Sequence, residues 1–180
     1  MFRKRLPWLV MLLAAQTLTT VALLGFERSV ALFPVLVMFM PLINSPAGNT
    51  GAQMAGLMIR GLALQELTCR DWLRVLLREL LRGLSFGAVL GVLGFAAALA
   101  FARVVDTGVY APSHIALAVG VAMVFAVTLA NLIGAMLPFA FAALGMDPAV
   151  TSGPFIASLM DVSGILIYFN LAVIVLKLVG

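Results

Sequence analysis

The sequence predicts an all-α polytopic membrane protein with five transmembrane helices, and three observations predict it. Of the 180 residues, 64% are hydrophobic and only 10% charged, whereas the apolar share of a soluble domain is about 45–50%. Five apolar runs approach the ~20 residues with which a helix crosses ~30 Å of hydrocarbon. None of the five alternates with the period of two that marks the strands of a transmembrane barrel.

The first run, 6–24, is entered from Arg3-Lys4-Arg5 and left at Gly25-Phe26-Glu27-Arg28. Ser29-Val30-Ala31 loosely resembles a signal-peptide cleavage site, but the run is longer than a 7–15-residue signal core, so a retained helix is expected. The second run, 30–59, is interrupted by Asn44-Ser45-Pro46-Ala47-Gly48-Asn49-Thr50-Gly51-Ala52-Gln53. A polar, Gly/Pro-rich break at membrane depth is tolerated only where protein or water satisfies the backbone. Gly48, Asn49, Thr50, Gly51 and Gln53 are therefore expected to face a cavity or a neighbouring helix.

Next, Thr68 as N-cap and Asp71 at the acidic third position start an interfacial basic helix over 69–82. Arg70, Arg74, Arg78 and Arg82 recur every four residues opposite Leu73, Leu76, Leu77, Leu80 and Leu81, a pattern suited to an anionic cytoplasmic leaflet. The third run, 80–102, carries Gly83, Gly87, Gly91 and Gly94, a spacing that lets two helices approach closely. The fourth, 115–137, is followed by Pro138 and contains Asn131, with Thr128 and Gly134 one turn to either side. Such an amide is expected to hydrogen-bond across helices. The fifth run covers 154–176. No linker, low-complexity tract or internal repeat divides residues 1–180, so a single transmembrane domain is expected.

The net charge is +4. Five passes put Arg3, Lys4, Arg5, Arg60, Arg70, Arg74, Arg78 and Arg82 on one side and Arg28, Arg103 and Lys177 on the other. This asymmetry predicts a cytoplasmic N-terminus; the expected location is the plasma (inner) membrane. Because the basic residues abut membrane segments, they point to lipid as a partner and away from nucleic acid. A lone Cys69 excludes an internal disulfide, and a lone His114 leaves no Cys/His cluster for a soft metal.

Of the seven acidic residues, Glu27, Glu66, Asp71, Glu79, Asp106 and Asp147 are expected at helix ends or in loops; only Asp161 lies well inside an apolar run. A carboxylate there costs about 2.5–3.5 kcal/mol on the insertion scale, so it must meet water or a partner. A partner such as Asn131 would make it a helix lock. Ala157, Gly164 and Tyr168 share its side of the helix, and the small ones leave room for a second helix or a hydrated ion. With the oxygens of Asn44, Asn49, Thr50, Gln53, Ser158 and Ser163, this is a hard-donor inventory suited to Mg²⁺ that keeps much of its water.

One Asp per chain neutralises half of a +2 charge, so a two-fold homodimer with the pore at its interface is the economical arrangement. A divalent cation gains about 4.6 kcal/mol on entering down 100 mV, which makes passive influx feasible. The alternative is a proton-coupled carrier in which Asp161 titrates. An intramembrane enzyme is not expected: an aspartyl protease needs two membrane carboxylates, and no buried His or Lys accompanies Ser158 or Ser163.

Three ordered blocks carry a family resemblance. Pro41 through Gln53 with Ile59-Arg60-Gly61-Leu62-Ala63, then Ala130-Asn131-Leu132-Ile133-Gly134-Ala135-Met136-Leu137-Pro138, then Asp147-Pro148-Ala149 through Ser152-Gly153-Pro154 to Asp161-Val162-Ser163-Gly164 and Tyr168, resemble MgtE-type magnesium transporters. The resemblance implies a homodimeric, Mg²⁺-selective channel lined by the second and fifth helices. It matches Asp161 to the family's pore aspartate and sets the Ala157 carbonyl and the break around Asn49 along the pore. Family members usually carry a cytosolic N-terminal domain and a CBS pair. Neither is found in these 180 residues, so a pore that stands alone, is regulated by a separate protein, or has been trimmed is expected.

Overall fold

The computed structural model describes residues 2–27, 34–105, 107–108, 110–150 and 153–179. Among these the chain is all α. Helices α1 (Phe2–Gly25), α2 (Pro34–Ala63), α3 (Trp72–Ala102), α4 (Pro112–Ala143) and α5 (Gly153–Val179) follow in order, with single 3₁₀ turns at Cys69–Asp71 and Pro148–Val150. Arg28, the Ser29-Val30-Ala31 tripeptide, the 30–33 start expected for the second run, Asp106 and Ser152 lie outside the described residues.

Among the described residues, three helical stretches are long and apolar enough to cross a membrane: Cys69–Ala102, Pro112–Ala143 and Gly153–Leu178. The apolar part of α1, Leu9–Gly25, is shorter, and α2 has the length but carries the polar segment. The architecture is that of a polytopic helical membrane protein.

Helix α4 is the central post. It packs against α3, α2 and α5, while α1 leans chiefly on α5. Its residues Ile115, Ala116, Val119, Ala122, Ala126 and Ala130 are buried because small side chains at helical spacing let neighbours close in from several sides. The expected close approach of α3 is present. A Cβ on Gly87 would lie 2.7 Å from the Val124 carbonyl oxygen, and one on Gly91 2.9 Å from that of Gly120.

Four expectations are corrected. The basic segment 69–82 and the third run are not separate helices: Trp72–Ala102 is one uninterrupted helix. No Gly or Pro separates Arg78 from the span, and Val75, Glu79, Gly83 and Gly87 form one continuous buried row against α4. The capping expected at Thr68 is made on the 3₁₀ turn that precedes it, where the Asp71 carboxylate accepts from the Thr68 hydroxyl (2.7 Å) and amide (3.0 Å).

Second, the polar segment of α2 does not unwind. It stays helical through Pro41 and Pro46, and Thr50 Oγ1 donates to the Pro46 carbonyl at 2.8 Å. Packing overrides the two prolines, since buried Gly48 and Gly51 seat α2 against Ala157 of α5 and the Ala130 carbonyl of α4. Third, α4 continues through Pro138, which is buried inside the helix, and ends at Ala143 with Leu144 as C-cap and Gly145 in the left-handed region (φ 72°).

Fourth, Glu79 is not at a helix end. It is 2% exposed, within the α3 row that faces α4.

Candidate functional site

Asp161 lies on α5 where that helix meets α1 and α2. It is partly buried and lines a cavity of about 320 Å³ with Gln16 and Thr19 of α1, Pro41, Asn44 and Ser45 of α2, and Ile165. Gln16 Nε2 donates to Asp161 Oδ2 at 3.1 Å. The Asn44 amide sits over the same turn and donates to the Asp161 main-chain carbonyl at 3.5 Å.

Two small residues of α5 set this geometry. A Cβ on Gly164 would collide with the Asn44 carboxamide, so only glycine lets that amide reach the turn of Asp161. One turn before Asp161, the Ala157 backbone is 3.7 Å from where a Cβ on Gly48 would stand. Tyr168 shares the helix side but is fully buried, donating its hydroxyl to the Leu36 carbonyl at 2.8 Å. It pins α5 to the start of α2 and takes no part in the cavity.

The other expected residues divide between two places. On α2, Ser45, Asn49 and Gln53 are exposed at a spacing of four, forming a polar stripe that begins at the Asp161 cavity. Thr50, Gln53 and Asn131 line a separate depression of about 390 Å³ with Phe86, Val89 and Leu90. Gly51 is buried between Ile156 and the Ala130 carbonyl.

Asn131 does not meet Asp161. It is 2% exposed, and its amide donates to Glu79 Oε2 at 3.1 Å and to the Glu79 carbonyl at 2.9 Å. Arg82 Nη1 completes the Glu79 carboxylate at 2.6 Å from a side chain that is 62% exposed. Asp161 is therefore not the only carboxylate held away from bulk water. The two differ in setting: Glu79 is satisfied on both oxygens by protein, whereas Asp161 has one amide and an adjoining polar cavity. Among the described residues no group of three His, Cys, Asp or Glu side chains converges on a common point.

Sequence reasoning missed Gln16, Thr19 and Glu79. The first two are uncharged polar residues of α1 that line the cavity from an otherwise apolar run, and Glu79 is concealed in the sequence by the arginines around it.

A bundle of apolar helices that turns a carboxylate and a polar helix stripe toward one cavity belongs to the polytopic membrane proteins that handle polar solutes. The family model for divalent cation transporters of the MgtE type matches residues 40–171. The chain is 41% identical over 177 residues to the magnesium transporter MgtE of Thermus thermophilus, covering 97% of this chain and 37% of the relative. It is 38% identical over 170 residues to that of Enterococcus faecalis, with 94% and 36% covered. With that of Bacillus subtilis it shares 30% identity over 169 residues. The chain thus belongs to the MgtE family, a family of transporters and not of enzymes, and spans little more than a third of the length of these relatives.

Proposed function

We propose that this chain is the pore of a Mg²⁺ channel, a single transmembrane domain of five passes in the plasma membrane with its N-terminus in the cytoplasm. Two copies pair about a two-fold axis, and each contributes Asp161. The paired carboxylates match the +2 charge of a cation that keeps most of its water. The Ala157 carbonyl, Gly48, Asn49 and Gly164 shape the path beside them, and the stripe from Ser45 to Gln53 lines its continuation. Thr50, Gly51 and Asn131 support α2 from behind.

The observation that carries the reading is the Asp161 carboxylate opening onto a polar cavity between three helices. A charge placed at that depth for packing alone would be closed off by donors, as Glu79 is. The exposed α2 stripe supports the second copy, because Asn49 and Gln53 amides facing hydrocarbon would each be left unsolvated.

The membrane potential supplies about 4.6 kcal/mol per 100 mV for a divalent ion, so influx needs no coupled solute. In proteoliposomes carrying a Mg²⁺ dye, flux should follow the Mg²⁺ gradient and the potential, and Asp161→Asn should reduce it by at least the about 10–100-fold that changing even an outer partner of a metal ligand costs. Wild-type flux in Asp161→Asn removes the assignment; flux that follows an imposed pH gradient instead selects a proton-coupled carrier. Running Ca²⁺, Mn²⁺ and Co²⁺ in the same assay defines selectivity.

A further inference from the structure

The contact between Gln16 and Asp161 joins α1, which leans chiefly on α5, to the carboxylate that borders the cavity between α1, α2 and α5. Gln16 is exposed on the protomer surface, so its amide has no packing reason to point inward. One turn along α1, Thr19 Oγ1 is buried against the same cavity and has no hydrogen-bond partner among the described residues. A buried hydroxyl left over in a polar cavity calls for water or a ligand, so the groups here are only partly satisfied by one another.

We propose that Gln16 competes with the transported cation for Asp161 and so sets the affinity of the site. This rests on the pore reading given above. The N–H of Gln16 takes one lone pair of Asp161 Oδ2 and draws on the carboxylate's charge. A metal-bound water that donates to Oδ2 from that side must displace it, so the amide weakens the hold of the carboxylate on the cation. Thr19 Oγ1 and Ser45 Oγ border the same space. Gln16 thus acts through Asp161, as a positioning residue.

A hydrogen bond to a charged group, once removed, shifts an equilibrium about tenfold or more. In the proteoliposome assay Gln16→Leu, which keeps the volume and removes the amide, should lower the half-saturating Mg²⁺ concentration about tenfold while the maximal rate stays within reach of wild type. Gln16→Asn is one methylene too short to reach and equally polar, and it should move the same way. Gln16→Glu, which adds a second carboxylate, should lower half-saturation further than Gln16→Leu and slow the maximal rate by holding the ion.

A helix brace would behave otherwise. If Gln16→Leu and Gln16→Asn lower flux or melting temperature and leave half-saturation unchanged, the competition is refuted. An increase in half-saturation refutes it too, since Gln16 would then be assisting the ion. The Asp161→Asn arm reads the underlying assignment separately. If that variant carries wild-type flux, the pore reading has failed, whereas loss of flux there with no shift in the Gln16 variants rejects only the role of Gln16.

Discussion

At the scale of single residues, the environment of Asp161 depends on the missing side chain of Gly164. A methyl group there would strike the Asn44 carboxamide, and overpacking of this kind costs about 1–3 kcal/mol. Gly164→Ala is expected to lower the detergent melting temperature. Adding Asn44→Ala should restore most of it by removing the struck group, and a double variant no more stable than Gly164→Ala would contradict the contact. Asp161 was legible from sequence because a lone charge in an apolar run has few structural explanations. Gln16 was not, because a single amide among leucines and alanines costs little to insert, and only the fold brings it to the carboxylate. Glu79 was concealed by its neighbours: beside Arg78 and Arg82 it looks like a solvated interface residue, and it is the α4 surface that buries it.

Between elements, the α3–α4 contact is secured by a polar bond within a glycine-lined seam. The Glu79 carboxylate accepts from Asn131 and Arg82, but Arg82 is largely exposed and its ion pair is weakened by solvent. The buried partner matters more. Asn131→Ala leaves one carboxylate oxygen without its donor, at an expected cost of about 1–3 kcal/mol. Arg82→Ala should cost less. In a double-mutant cycle with Glu79→Gln, the Asn131 coupling should fall near the ~0.6–1.7 kcal/mol found for bonds between membrane helices; a coupling of zero would mean that Asn131 holds the α3 backbone alone. The seam was readable from the spacing of Gly83, Gly87, Gly91 and Gly94. The continuity of α2 through Pro46 and of α4 through Pro138 was not. A proline marks a lost intrahelical bond, but whether the helix stops there depends on neighbours that local sequence does not name.

For the whole molecule, the exposed polar stripe of α2 leads to an expectation about assembly. In a Cys69→Ser background, mild oxidation should link Asn49→Cys chains into pairs. Val92→Cys, exposed on the apolar outer face of α3, should stay single. The reverse pattern would move the interface to α3. The succession of helices was foreseeable from hydropathy, whereas which face of α2 turns outward is fixed by contacts of Gly48 and Gly51 with two other helices. Where Gly51 passes Gly134, the backbones of α2 and α4 touch with no side chain between them. Such a crossing resists sliding, because any shift along the axis drives a side chain into the gap. Asn44 lies about 10 Å along α2 from that crossing, so the depth at which its amide meets the turn of the carboxylate is fixed by where two glycine backbones touch.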